Sequence, residues 1–362
     1  MMNIALQLAA QALYLSAPNP RVGCVIVAAD GRVLGRGHTQ RVGGPHAEVM
    51  ALSDAAAQGH SVVGATAYVT LEPCSHTGRT GPCCDALVAA GISRVVASLQ
   101  DPNPQVAGQG FARLRAAGVE VLVGEDALAS RELNIGFFSR MVRKTPWVRM
   151  KIAASVDGQT ALLNGQSQWI TSPEARADGH AWRARACAVL TGIGTVLQDD
   201  PQLDVRLVET PRQPMLVVVD SRLDTPPDAR LFSPARPVVI YAAVPNEARQ
   251  VALEARGATV IFCPDASGKV DLAAMLRDLA VREVNEVHVE AGHKLNGSLV
   301  QAGLVDEFLF YLSPKLLGQG QGMTQLGPFS ELSQAVALEF QETQRVGPDL
   351  RILARGFGRD RF

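Results

Sequence analysis

The chain has 362 residues, 47% of them hydrophobic and 19% charged, which is enough for two soluble globular domains of ordinary size. A formal net charge of −1 and an aromatic content of only 5% exclude the basic, stacking-rich surface of a nucleic-acid-binding chain. No apolar run approaches the roughly 18 residues of a membrane span, and no cleavable signal is expected before the first helix, so a cytoplasmic chain without a membrane partner is expected.

Residues 1–15 carry Ile4, Leu8, Ala12 and Leu15 at helical spacing, and Pro18 and Pro20 end that helix. Strands over 22–28 and 33–37 flank an Asp30-Gly31 turn, a hairpin signal. A helix opens after Pro45 over 46–58, a short strand covers 66–71, and another helix runs from Pro82 to its cap at Gly91. Strand 95–99, helix 109–117 and strand 119–123 continue an alternation that argues for a mixed or mostly parallel sheet with helices on both faces. A helix over 126–138 closes this half. Thr145-Pro146 breaks the pattern, and a domain boundary is expected between residues 144 and 145.

Chemistry concentrates in His46-Ala47-Glu48 and in the stretch Leu71-Glu72-Pro73-Cys74 to Cys83-Cys84. The order H-x-E and then P-C…C is the zinc-deaminase signature, here with eight residues between Cys74 and Cys83. One histidine and two cysteines leave a tetrahedral zinc position open for water, as a catalytic site requires. Glu48 stands where a proton carrier is needed. A purely structural zinc knuckle would recruit Cys84 as a fourth ligand and leave Glu48 without a role. Adjacent helical residues point about 100° apart, so only one of Cys83 and Cys84 can face the metal. Cys83 follows Pro82 at the helix start, where unpaired N–H groups favour a thiolate. Cys84, with Leu87 and Val88 on its face, is expected to pack. The six cysteines do not form a disulfide framework, and zinc thiolates suit a reducing compartment.

Together with Asn19-Pro20-Arg21-Val22-Gly23-Cys24-Val25-Ile26-Val27, these motifs resemble the bifunctional deaminase/reductase family of riboflavin biosynthesis. The resemblance implies a cytidine-deaminase-like α/β/α domain over 1–144, with zinc on His46, Cys74 and Cys83 and Glu48 catalytic. It also implies substrate contacts at Asn19, His76 and Arg79. The family commonly has a histidine seven residues before the zinc histidine. That position here is Thr39, with His38 beside it.

The second half restarts with an alternating strand over 147–154 that carries Lys151, and Asp157-Gly158 turns the chain. Thr171-Ser172-Pro173-Glu174 caps a helix containing Arg183 and Arg185. Strand 188–191 runs into Gly192-Ile193-Gly194-Thr195, and strands follow over 215–220, 238–241, 260–263 and 287–290. A second glycine loop, Gly292-His293-Lys294-Leu295-Asn296-Gly297-Ser298, links the last of these to a helix. Two such loops at strand ends suit a phosphate-bearing ligand, although ordinary strand-to-helix turns read the same way. The full dinucleotide fingerprint is absent.

The runs Lys151-Ile152-Ala153-Ala154-Ser155-Val156-Asp157-Gly158, Gly194-Thr195-Val196-Leu197-Gln198-Asp199-Asp200-Pro201 and Glu290-Ala291-Gly292 are similar to the reductase half of the same family. That resemblance implies a dihydrofolate-reductase-like α/β domain over 145–362 that takes hydride from NADPH. It implies cofactor contacts at Ala153, Trp169, Thr195, Asp199, Ser221 and the loop Gly292, His293, Lys294, Leu295, Asn296, Gly297 and Ser298. Substrate contacts follow at Ser167, Arg183, Leu203, Arg206 and Glu290, the two arginines suiting a phosphate. Lys151 and Glu290 are expected nearest the sugar carbon.

The expected enzyme therefore uses Zn2+ to deaminate 2,5-diamino-6-(5-phosphoribosylamino)pyrimidin-4-one. It then uses NADPH to reduce the ribosyl group of 5-amino-6-(5-phosphoribosylamino)uracil to ribityl. Its partner is a small phosphorylated pyrimidine, and a homo-oligomer is expected. Two rival readings are a nucleobase or nucleic-acid deaminase with a nucleotide-binding appendage, and a chain whose second half only senses a nucleotide.

Overall fold

Gly23–Val27 (β1) is buried along its whole length, and the first half of the chain is arranged around it. The computed structural model describes residues 1–76, 81–104 and 106–361, which form two units, Met1–Lys144 and Thr145–Arg361. In the first unit β1 pairs antiparallel with Val33–His38 (β2) and with Thr66–Val69 (β3). Parallel strands Arg94–Ala97 (β4) and Glu120–Val123 (β5) extend the sheet, giving the order β2-β1-β3-β4-β5. Helix Met2–Gln11 (α1) covers one face through Met2 and Ala5 against Val25 and Val27. Helices Ala47–Ala57 (α2), Cys83–Ala89 (α3) and Gln109–Ala116 (α4) contribute Ala51, Leu87 and Leu114 to the core that contains Ile26 and Val95. The result is a mixed sheet in an α/β/α sandwich.

Close approach fixes the start of α2. A Cβ on Gly37 would lie 2.3 Å from the Ala47 carbonyl oxygen, so only glycine lets β2 carry the first turn of α2 at this distance. The helix expected over 126–138 is two helices, Ala127–Leu133 (α5) and Ile135–Arg143 (α6), broken at Asn134. The Asn134 side chain leaves the helical pattern to serve a distant segment: it accepts from the Arg21 N–H (2.7 Å) and donates to the Arg21 carbonyl (2.9 Å). That pins the stretch containing Asn19.

The second unit is one nine-stranded sheet. Its strands are Trp147–Ser155 (β6), Ala188–Gly192 (β8), Met215–Val219 (β9), Val238–Ala242 (β10), Ala258–Phe262 (β11), Glu286–Val289 (β12), Glu307–Ser313 (β13), Leu338–Val346 (β15) and Asp349–Gly356 (β16). A separate two-stranded ribbon pairs Gln159–Leu162 (β7) with Gly320–Gly322 (β14). The order β11-β10-β9-β8-β12-β6-β13-β16-β15 is parallel from β11 to β13 and antiparallel beyond. The helices are Pro173–Arg185 (α7), Ile193–Asp199 (α8), Glu247–Glu254 (α9), Leu272–Val281 (α10) and His293–Gln301 (α11). Ser172 caps α7, its side chain accepting from the Ala175 N–H at 3.2 Å with Pro173 at the first position. Two apolar cores, one around Val148, Met275 and Val287 and one around Val189, Leu216 and Ile240, hold the layers together.

Candidate active sites

In the first unit three ligand atoms converge. His46 is the N-cap of α2, and Cys83 is the first residue of α3. His46 Nδ1 lies 3.5 Å from Cys74 Sγ and 3.3 Å from Cys83 Sγ, with all three donors within 4.8 Å of one another. Tetrahedral zinc with Zn–S of about 2.3 Å and Zn–N of about 2.05 Å places such N and S atoms about 3.5 Å apart. The donor set therefore fits the ion. The Cys83 N–H points at Cys74 Sγ (3.4 Å), so the helix start, expected to favour the Cys83 thiolate, serves the Cys74 sulfur instead. Hydrogen bonding from Cys83 and His46 holds the Cys74 thiol down, to about 4, whereas Cys83, the donating thiol, is pushed up. Glu48, in the first turn of α2, is buried, and that burial, with the Cys74 charge, pushes its carboxyl up to about 7.

Cys84 faces elsewhere. It belongs to the apolar core with Leu87, its Sγ is 3.7 Å from Asp85 Oδ1, and burial raises its thiol to about 11. The loop bearing Cys74 is braced by two groups that the sequence did not single out. Buried Glu72 accepts from the N–H groups of Asp101 (3.1 Å), Gly108 (2.9 Å) and Phe111 (3.2 Å), and Arg113 joins Asp85 (2.7 Å) to the Ser75 carbonyl (3.1 Å). Only the adjacency of Glu72 to Pro73-Cys74 hinted at this. Among the expected substrate contacts, Asn19 is half-buried on the pinned segment and His76 is exposed, while Arg79 lies outside the described residues. The Thr39 hydroxyl is spent on the Val22 backbone (3.2 and 3.4 Å), and His38 is half-buried beside it.

In the second unit a cavity of about 560 Å³ opens at the C-terminal ends of β6, β8 and β12, the edge where open α/β sheets gather ligands. Lys151 and Ala153 reach it from β6, Ser167 and Trp169 from the segment after β7, and Arg183 from α7. Thr195 and Asp199 come from α8, Leu203 and Arg206 from the stretch that follows, and Glu290, Gly292, His293 and Asn296 from the β12–α11 junction. Ser221, Lys294, Leu295, Gly297 and Ser298 are not among the lining residues. The Ser221 hydroxyl accepts from the Val270 N–H instead (3.3 Å). The expected loop over 292–298 is corrected: from His293 onward it is helix. Gly297 serves packing there, because a Cβ would lie 2.2 Å from the Gln325 carbonyl oxygen.

Glu290 is the electrostatic centre of this cavity. Both of its oxygens are held by the Arg183 fork, Nε to Oε1 and Nη2 to Oε2 (3.0 Å), and Lys151 Nζ is 3.5 Å from Oε2. Burial alone would raise this carboxyl, but the Arg183 and Lys151 charges hold it well below the usual range. Arg183 Nη1 donates to the Asp204 carbonyl (2.8 Å). The Arg183 fork, from which the sequence led us to expect a substrate contact, is paired with Glu290 in this structure. Arg206 is half-exposed and paired with Asp204. Sequence reasoning missed His180, whose Nδ1 accepts from the Arg206 N–H (3.2 Å), and Arg176, whose guanidinium lies 4.4 Å from the Trp169 ring centre. Burial, then the Arg183 and Arg206 charges, lower His180 to about 4.

A zinc triad beside a buried carboxylate, followed by a ligand-scale cavity at a parallel sheet edge, defines a two-site enzyme that joins a deaminase-type domain to a reductase-type domain. Residues 1–99 match the cytidine and deoxycytidylate deaminase zinc-binding region, and residues 146–352 match the RibD C-terminal domain. The riboflavin biosynthesis protein RibD of Escherichia coli (strain K12) is 45% identical over 359 residues, covering 96% of each chain. A solved RibD from Acinetobacter baumannii superposes with a TM-score of 0.89 at 38% identity, covering 98% of this chain and 97% of that one. A diaminohydroxyphosphoribosylaminopyrimidine deaminase/5-amino-6-(5-phosphoribosylamino)uracil reductase from Thermotoga maritima gives 0.87 at 32% identity, with 98% and 97% coverage. This chain belongs to the RibD family. Its fold is accordingly a cytidine-deaminase-like domain followed by a dihydrofolate-reductase-like domain.

Proposed function

We propose that the chain performs two consecutive steps of riboflavin biosynthesis. The first is zinc-dependent hydrolytic deamination of 2,5-diamino-6-(5-phosphoribosylamino)pyrimidin-4-one. The second is NADPH-dependent reduction of the ribosyl group of 5-amino-6-(5-phosphoribosylamino)uracil to ribityl. The observation that carries this reading is the convergence of His46 Nδ1, Cys74 Sγ and Cys83 Sγ beside buried Glu48, in a chain that also presents the Lys151–Glu290 pair on a cavity.

His46, Cys74 and Cys83 would hold the zinc, which would supply the Lewis acid that activates water. Glu48 accepts a proton from that water and returns it to the exocyclic amine, which leaves as ammonia when the new C–O bond has formed. Glu48 is buried beside the triad, which keeps the proton it carries away from bulk water.

In the second unit the lining of the cavity suits a nucleotide cofactor. Asn296 Oδ1, on a cavity-lining residue, is buried without a hydrogen-bond partner among the described residues, an acceptor available to a ligand donor. NADPH supplies the hydride. Lys151 and Glu290 orient the sugar, and Lys151 gives a proton to the ring oxygen as the ribose opens, a role supported by its position on the cavity beside Glu290. Ser167, Arg183, Leu203 and Arg206 contact the substrate, while Ala153, Trp169, Thr195, Asp199, Gly292 and His293 contact the cofactor; all of them line the cavity. Asn19 and His76 contact the first substrate.

Among the described residues no helix is long and apolar enough to cross a membrane. We place the enzyme in the cytoplasm, where the two cysteines that would bind zinc, Cys74 and Cys83, stay reduced. We also assign it a homo-oligomer, supported by the sheet's outer strand β15, where Phe340 is exposed. The test is purified chain assayed for zinc, for ammonia release from the diaminopyrimidinone, and for NADPH oxidation on the deaminated product. Zinc-loaded, folded chain that does neither would refute the reading.

A further inference from the structure

A central parallel strand is buried on both faces and is normally apolar on both. β12 departs from this. Val287 and Val289 face one core, but Glu286, His288 and then Glu290 line the other side, under α7. Glu286 is answered by Arg149 (2.9 Å) and Arg185 (2.8 Å), and Glu290 by Arg183 and Lys151. His288 is the exception. It is fully buried, and neither ring nitrogen makes a full hydrogen bond among the described residues. Its Nε2 nevertheless lies 3.4 Å from Glu290 Oε1, the oxygen that Arg183 Nε also holds. A buried polar group left in this condition needs an explanation.

The charged groups facing His288 are Glu290 at the end of its own strand, Arg149 from β6 and Arg183 from α7, while β8 presents apolar Val189. An imidazolium here would lack an acceptor at Nδ1 and would face two guanidinium groups. Burial further disfavours the charged ring. The ring is therefore neutral, and its one proton belongs on Nε2, the nitrogen that has an acceptor. Arg183 gives three of its five N–H groups to Glu290 and the Asp204 carbonyl, two of them to the Glu290 carboxylate. A substrate anion that turns the Arg183 fork towards itself takes donors away from Glu290. The carboxylate would then keep Lys151 at Oε2 and His288 at Oε1.

We propose that His288 is a positioning residue for Glu290: its Nε2–H secures Oε1 from the sheet side and keeps Oε2 aimed at Lys151 when substrate draws on Arg183. This rests on the reading of the cavity as the reductase site.

The test compares wild type, His288→Phe, which keeps the ring volume without a donor, and His288→Gln, which offers an N–H at about the same reach. In 15N NMR of the full chain at neutral pH, the imidazole signal lost in His288→Gln should show the neutral Nε2–H tautomer. The Nδ1–H tautomer or an imidazolium would overturn the proposal without any activity measurement. With NADPH and 5-amino-6-(5-phosphoribosylamino)uracil, His288→Phe should lower kcat by about 10- to 100-fold, the scale of a misplaced reacting group. KM values should stay within about twofold, and His288→Gln should recover most of the rate. Ammonia release by the first unit and the tryptophan-monitored unfolding temperature show that each variant is folded. Should His288→Phe not fold, the tautomer and the His288→Gln rate decide. Unchanged kcat in His288→Phe, or equal loss in both variants, overturns the positioning role. Wild type that fails to oxidise NADPH on this substrate instead refutes the underlying functional reading.

Discussion

The two sites hold their reactive groups by opposite means. In the first unit the backbone does the placing: His46 caps one helix, Cys83 opens another, and the Cys83 N–H points at Cys74 Sγ. In the second, side chains from β6, α7 and the end of β12 meet across long sequence separations and place one another through charge, as Lys151, Arg183 and Glu290 do. A backbone-built metal site fails all at once when a ligand is lost. A site built from ion pairs fails by degrees and responds to pH.

The largest expected effect breaks the first site alone. Cys83→Ser should release zinc and lower deamination by more than about 10³-fold, in line with the several kcal/mol a Lewis acid contributes. NADPH oxidation on the deaminated intermediate should continue. Zinc analysis with both assays checks this, and a coupled loss of the second activity would undo the contrast. Next in size, Glu48→Gln should keep zinc and reductase turnover while deamination drops by about 10²-fold or more. Retained deamination would move the proton shuttle to another group.

The contrast also explains what could be read in advance. The metal triad and Glu48 lie in two short runs whose spacing is itself the chemistry, so they were legible. The Arg183–Glu290 lock joins residues 107 apart, and nothing local in either segment announces it. The break at Asn134 was hidden for the same reason, since its partner Arg21 is 113 residues away. Strands β13, β15 and β16 were not anticipated; β15 is almost wholly exposed, so it lacks the apolar alternation that marks a strand. In the 292–298 stretch, glycine and asparagine suggested a loop, but Gly297 is there to let residue 325 approach a helix.

Smaller effects sharpen the second half of the comparison. Arg206→Ala should raise the reductase KM by about 1.5–3 kcal/mol, the worth of a charge-assisted hydrogen bond, and leave NADPH affinity unmoved. Weaker NADPH binding with unchanged substrate KM would assign Arg206 to the cofactor. His180 should make this unit pH-sensitive. Its folded pKa of about 4 lies below the ordinary histidine value of 6.5, so between those values the unfolded chain binds a proton that the folded chain does not. Stability is full above about 6.5 and declines as pH falls towards about 4, by on the order of 1–3 kcal/mol. All three tryptophans, Trp147, Trp169 and Trp182, lie in the second unit, so fluorescence-monitored unfolding isolates it. His180→Gln should reduce the slope over this window, leaving the part that His288, also held neutral by burial, supplies. An unchanged slope would remove His180 from the account.

The smallest expected effect is the sharpest test of backbone placement, because it concerns neighbours. Cys83 and Cys84 are adjacent in α3 and both buried, and chemistry alone does not separate one thiol from the other. Position does. Cys83 Sγ is 3.3 Å from His46 Nδ1, whereas Cys84 points into the core beside Leu87, its thiol raised by burial. A buried cysteine in such a place acts as a small hydrophobe. Cys84→Ser exchanges sulfur for a hydroxyl in apolar surroundings, with Asp85 within reach as an acceptor, and should cost about 1 kcal/mol of stability. Zinc content and deamination should match wild type. The measurement is metal analysis of purified Cys83→Ser and Cys84→Ser together with their denaturant midpoints. Zinc retained by Cys83→Ser and lost from Cys84→Ser would mean that the helix presents its second residue, not its first, to the metal.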